Sequence, residues 1–181
     1  TNMGLALLAN LAAYDFGYIT AKEMAERCNN TLQTMLKLER FNGHFYNWYD
    51  TLSLLPLHPR YVSTVDSGNL VGHLLTLRQG FLSAIDQPVF TSKIFEGLLT
   101  TARIIHDQHQ QQDTKTTEKI IAVLNVALRE NNNSLSNVKK YLDELSFLIN
   151  DLSITCAETE SKNWITKLSV QLKNVHDDLI K

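Results

Sequence analysis

Cysteine, proline and glycine are all scarce in this chain: two, three and seven of its 181 residues. Cys28 and Cys156 are far apart and have no CxxC spacing, which excludes a disulfide scaffold and a cysteine zinc site. Both are expected to be reduced thiols in a core. The shortage of proline and glycine leaves long stretches without breakers, the condition helices need. Excess charge of one sign is missing too. The formal net charge of −2 offers no basic stripe for nucleic acid and no polybasic patch for a membrane surface. No segment approaches the roughly 18 consecutive apolar residues of a spanning helix, and no signal-peptide pattern is visible. Nucleotide and nucleophile motifs (GxGxxG, the P-loop, GxSxG) do not occur, so no cofactor is expected.

What is present is helical periodicity. Residues 3–16, MGLALLANLAAYDF, are apolar on nearly every face, the pattern of a helix buried on all sides. Gly17 ends it, and Thr20-Ala-Lys-Glu23 carries a capping-box signature. The next helix, about 21–40, is two-faced, with Met24, Cys28, Leu32 and Met35 on one side. A third, mostly apolar, is expected to start at Asp66 or Ser67 and run to Ile85, before Pro88 breaks the chain. A fourth, about 92–109, is again two-faced. Alternation of apolar and amphipathic helices implies one layer inside another: part of an (α/α) barrel, or a simpler bundle.

Residues 106–119 are polar and Gln-rich and read as a linker rather than as a metal site at His106 and His109. Helices are expected at about 117–130, 136–157 and 162–180. The last two carry apolar residues at alternating steps of three and four and suit an antiparallel hairpin. No stretch alternates with period two for long. The fold class expected is therefore all-α: a two-layer helical bundle with a C-terminal helical hairpin, in a single domain or fragment.

The remaining segment, Glu39 to Leu75, differs from the rest. It gathers three of the six histidines, two of the three prolines and the aromatic pairs Phe45-Tyr46 and Trp48-Tyr49. A connection as long as 42–65 is uncommon unless it binds something or is disordered, and disordered segments are poor in aromatics. Sugars are held by flat aromatic faces and by planar polar side chains that fork onto neighbouring hydroxyls. Tyr46, Trp48, Tyr49 and Tyr61 could supply the faces; His44, Asn47, Asp50, Arg60, Asp66, Asn69 and His73 could supply the polar groups. The structural alternative is that the aromatics anchor the loop while Asp50 and Asp66 cap a turn and a helix. Glycoside chemistry would need two carboxyl groups. A helix start at Asp66 would lower its pKa and suit it to binding hydroxyls rather than donating protons. Glu39, at a helix end, would pair with Arg40.

At these residues a resemblance becomes visible. TNMGLALLANLAAYDFGYI, LERFNGHFYNWYDT and LHPRYVSTVDSGNLVGHLL, in order within residues 1–76, closely resemble the central region of bacterial cyclic beta-1,2-glucan synthases. That region lies between a membrane-embedded glycosyltransferase domain and a C-terminal phosphorylase-like domain. The resemblance implies the front part of a glucoamylase-like (α/α) barrel that closes linear beta-1,2-glucan into rings by transglycosylation. It places the catalytic glutamates in a later segment and makes the 44–69 motif a wall of the cleft. It also implies a parent anchored in the inner membrane, with this segment on the cytoplasmic side and not itself touching the bilayer. Met3, and the Ala6 that follows Leu5, stand where the family more usually has Ile and Tyr, changes a core tolerates. The expected partners are beta-1,2-glucan and the remainder of the parent polypeptide. Half a barrel would expose apolar faces, so the isolated piece is also expected to self-associate. Two other classes remain open: a helical protein-interaction module working through the C-terminal hairpin, and a stand-alone hydrolase using Asp50 and Asp66.

Overall fold

A computed structural model describes residues 1–108, 114–130, 134–156 and 159–180. Seven α-helices account for most of them: α1 (Asn2–Asp15), α2 (Ala21–Lys37), α3 (Thr64–Ile85), α4 (Ser92–Gln108), α5 (Lys115–Glu130), α6 (Leu135–Thr155) and α7 (Thr159–Ile180). The all-α expectation holds, with one addition. Two short strands, β1 (Arg40–Phe41) and β2 (His44–Phe45), form an antiparallel hairpin. His109 of the expected polar linker lies outside the described residues. The chain divides into two compact units, one of Thr1–Ala12 with Ala21–Gln87, the other of Ala13–Thr20 with Pro88–Lys181.

In the first unit α1 and α3 meet in parallel. Thr1 reaches Asp66, Gly4 lies against His73, and Leu11 fills the space over Gly80, so contacts advance along both helices together. A Cβ on Gly4 would stand 2.2 Å from His73 Nδ1, a ring nitrogen that is buried without a hydrogen-bond partner. On α2, the Cys28 thiol points at the Leu7 carbonyl 4.0 Å away. Burial pushes that thiol's pKa up, with Asn10 acting the other way, as for an inert core cysteine. The all-round burial expected of the first helix is not what is found. Only Gly4 and Leu7 of α1 are buried, and α3 buries only Leu70 and Leu77 while Val71, Leu75 and Ile85 stay exposed. Within the first unit the contacts of α1 are with α2 and α3, and two neighbours cannot cover every face of a helix.

The second unit is a four-helix bundle. His106 near the end of α4 meets Thr117 at the start of α5 (3.0 Å), Tyr141 of α6 donates to Glu130 at the end of α5, and Asp143 of α6 meets His176 of α7 (3.3 Å). Successive helices therefore run up and down, and α4 closes the ring against α7. The core is Leu98, Ile105, Leu124, Leu142, Leu145, Ile165 and their neighbours. The expected C-terminal hairpin exists, but as half of this bundle.

Residues 13–20 join the second unit through a glycine contact. Tyr18 donates to the Ala13 carbonyl (2.8 Å) and Gly17 to that of Tyr14 (2.9 Å), with Gly17 at φ +71°: a Schellman C-cap, in which only glycine avoids the left-handed penalty. The Gly17 carbonyl then lies on Gly97 of α4 and accepts from Gln171 Nε2 (3.0 Å), while Gln171 Oε1 accepts from Thr101 (3.1 Å).

Candidate functional site

The loop after α2 is two turns of hairpin, one after the other. The first is built on Asn42-Gly43, whose φ values of +47° and +85° suit a two-residue type I′ turn. It pairs Arg40 with Phe45 and Phe41 with His44, and the Arg40 guanidinium lies over the Phe45 ring at 4.4 Å. The second runs out along 47–50 and back along 55–61. Asn47 N–H donates to the Tyr61 carbonyl (2.8 Å), Leu57 N–H to that of Trp48 (3.0 Å), and Asp50 N–H to that of Leu55 (2.9 Å). Tyr49 and Pro56 form an isolated bridge. The His58–Pro59 bond is cis.

Two carboxyl-bearing residues are committed to holding this shape. One oxygen of Asp50 accepts from Leu52 N–H (3.1 Å), Ser53 N–H (2.6 Å) and the Ser53 hydroxyl (2.8 Å). Those bonds, Ser53's backbone first, hold its pKa below the ordinary value. Glu39 follows the end of α2 rather than lying in it, and it pairs with Arg60 at 2.9 Å instead of the expected Arg40. The Tyr49 hydroxyl donates to the Glu39 carbonyl (2.7 Å) and accepts from Tyr46 N–H (2.8 Å). Arg60 also stands 5.6 Å from the centroid of the buried Tyr46 ring.

Trp48 and Tyr61 are different. Their rings stack at 6.1 Å and 29°, and each residue is about half exposed, 50% and 54%. The backbone bonds from Asn47 to Tyr61 and from Leu57 to Trp48 bring the two residues onto facing arms of this second hairpin. His44 extends toward the helix beyond the loop, its Nδ1 2.9 Å from the Ser67 hydroxyl.

That helix is capped otherwise than expected. Ser63 is the N-cap of α3 and accepts from Asp66 N–H at 3.1 Å, so Asp66 sits within the first turn. Asp66 also accepts from the Thr1 hydroxyl. The Thr1 hydroxyl, then Ser63, then the neighbouring amino group pull its pKa down to about 2. Asn69, one turn on, is exposed, and its side chain makes no hydrogen bond among the described residues. Trp48, Tyr61, Asn47 and Arg60 are thus gathered on one stretch, His44, Asp66 and Asn69 belong to the α3 end, and Asp50 lies at the tip of the second hairpin.

Sequence reasoning missed the β-hairpin, the Ser63 cap and the Glu39–Arg60 pair. Asn-Gly between apolar residues signals the first, and the Ser-x-x-Asp run from Ser63 signals the second. Nothing local signals a pair 21 residues apart. Among the described residues no three His, Cys, Asp or Glu side chains cluster as metal ligands, and no helix is long and apolar enough to cross a membrane. Asp50 and Asp66, both with lowered pKa values, are ionised at neutral pH; they can accept hydrogen bonds from hydroxyls but cannot donate a proton.

No family model matches the chain. A curated relative, the cyclic beta-(1,2)-glucan synthase NdvB of Rhizobium meliloti (strain 1021), is 31% identical over 157 residues, which is 85% of this chain. The chain spans only about 6% of that relative's length. With motif-bearing loop and helices alike inside so broad a match, the chain belongs, as a fragment, to the cyclic beta-(1,2)-glucan synthase family.

Proposed function

We propose that this chain forms part of a glucoamylase-like (α/α) barrel in a cyclic beta-1,2-glucan synthase, and that loop 42–65 is a glucan-facing wall of its cleft. The observation that carries the reading is the stacked, half-exposed Trp48–Tyr61 pair. Exposed aromatic rings locked in place offer sugar C–H faces a platform at little entropic cost. Arg60, Asn47, His44 and Asn69 supply donors, and Tyr49 acts mainly as a strut. Asp50 and Asp66 serve as hydroxyl acceptors, which leaves the acid and nucleophile of transglycosylation to carboxylates of another segment.

The parallel contact of the two most apolar helices, α1 and α3, supports the barrel. Inner helices of such a barrel run parallel and are joined by outer, two-faced helices such as α2. Their exposed leucines and valines then meet further helices of the parent polypeptide, or a second copy when the piece is alone. The parent is membrane-anchored, with this segment on the cytoplasmic side of the inner membrane.

Titration with linear beta-1,2-glucan tests the reading. Trp48 emission should change saturably, and the change should vanish in Trp48→Phe, where Trp164 alone remains. An unaltered Trp48 signal at saturating glucan would sink the proposal and favour a helical interaction module. Formation of rings or shortened glucan by the chain alone, abolished by Asp50→Asn, would instead promote a stand-alone hydrolase.

A further inference from the structure

The groove between α6 and α7 lies in the bundle, and the glucan reading makes no use of it. Ser146 and Ser169 leave a space of about 310 Å³ there. Its floor is apolar, formed by Ile149 and Leu172, each 3% exposed. The Ser146 hydroxyl is committed to the Leu142 carbonyl at 2.8 Å. The other polar groups are uncommitted: the Lys173 ammonium, the Asn150 amide and the Ser169 hydroxyl have no partner among the described residues. At one end His176 Nε2 lies 3.3 Å from Asp143 Oδ1, which occupies that carboxylate and leaves the other ring nitrogen unbound.

The charge on the lysine decides what chemistry fits. The Asn150 amide and the Ser169 hydroxyl each donate and accept, whereas the Lys173 ammonium offers three N–H donors, a positive charge and no acceptor. A neutral polyol would use the amide and the hydroxyl but leave the ammonium without a counter-charge. An oxyanion brings acceptors only, and its bonds to an ammonium are the stronger, charge-assisted kind. The volume matches the lower end of small-ligand sites. We propose that this groove binds a small oxyanion-bearing ligand, a phosphate monoester or a carboxylate. The anion sits on Lys173, Asn150 and Ser169, and the ligand body lies over Ile149 and Leu172.

The test is amide NMR of the full chain titrated with inorganic phosphate, acetate or glucose at fixed ionic strength. Phosphate or acetate should shift the 150, 169 and 173 amides saturably, with a Kd on the order of 1 mM; whichever anion binds tighter names the ligand class. Lys173→Met, at an exposed position whose folding a thermal melt verifies, should weaken binding about tenfold or more. Glucose should leave these amides unmoved. Three results would overturn the proposal: no saturation by either anion up to about 50 mM, an unchanged Kd in Lys173→Met, or glucose binding as tightly as the anions.

Discussion

Replacing Gly97 by alanine should destabilise the bundle, although the same change in an unobstructed helix stabilises. Gly97 lies in the middle of α4, where alanine is worth about 1 kcal/mol over glycine by helix propensity. Its missing side chain, however, is what admits the Gly17 carbonyl. A Cβ at position 97 would stand 2.1 Å from that oxygen and 2.4 Å from its carbon. Both are backbone atoms, so no rotamer change relieves the clash, and Gly17 is itself held, since a Cβ on it would come within 1.8 Å of the Lys93 carbonyl. Forcing the two backbones apart costs about 1–3 kcal/mol as overpacking. It also stretches the 3.0 Å bond from Gln171 to Gly17, and a buried amide left unpaired adds about 1–3 kcal/mol. The net is a loss of about 3 kcal/mol, or a fall in Tm of roughly 6–12 °C for a chain of this size. A Trp48→Phe background leaves Trp164, in the bundle, as the only tryptophan, so its emission follows the second unit alone. Gly72→Ala on α3, in the first unit, where a Cβ meets nothing within 4 Å, is the control and should leave the Trp164 transition unmoved. A rise in bundle stability in Gly97→Ala would refute the interlock.

Tyr49→Phe should loosen the loop while leaving the bundle melt unchanged, because it strips the partner from Tyr46 N–H and costs about 1–3 kcal/mol locally; protection of the Tyr46 amide unchanged in hydrogen exchange would contradict it. Asp50 and Asp66 have folded pKa values below their unfolded ones, so the stability they contribute is present above the ordinary value of 3.8 and is lost as pH falls, for Asp66 down through about 2. Carboxyl-carbon NMR should place both midpoints below 3.8, and a midpoint above that value for either would remove it from its assigned hydrogen bonds. Glu39→Gln should weaken glucan binding by freeing Arg60 to swing away from Tyr46; unchanged affinity alongside altered Arg60 side-chain shifts would show that the pair does not set the platform.

The helices were legible because their cause is local. The 3.6-residue recurrence of Met24, Cys28, Leu32 and Met35 on α2, and the seams of α6 and α7, need no tertiary information. The apolar runs of α1 and α3 were equally legible as helix, but not as burial. Periodicity identifies an apolar face and cannot say which other chain segment covers it, and Leu5, Val71 and Leu75 are exposed. The closure of α4 on α7 was not legible for a similar reason. It rests on contacts such as Thr101 with Gln171, 70 positions apart, and no window along the sequence holds both partners. The Asn42-Gly43 turn was visible in principle. Strands of two residues each carry too little alternation to be recognised by period, so the turn residues were the only signal.

Within the loop, composition located a cluster of sugar-suited side chains without separating those that bind from those that build. Hydrogen bonds identify the ones that build. Tyr49 donates and accepts inside the loop, Asp50 caps its own turn, and Glu39 holds Arg60. The Tyr49 hydroxyl would have to break a bond to donate to a ligand, at a net cost of about 1 kcal/mol, and the two carboxylates have only their second oxygen to offer. The faces of Trp48 and Tyr61 and the amide of Asn69 have no such commitment. The acidic and phenolic groups thus hold the loop, as the structural alternative expects, and the half-exposed rings are the surface left for the proposed glucan contact. A ligand meeting that surface would find it already formed, so binding should show little loop ordering and an affinity set by the rings rather than by the carboxylates.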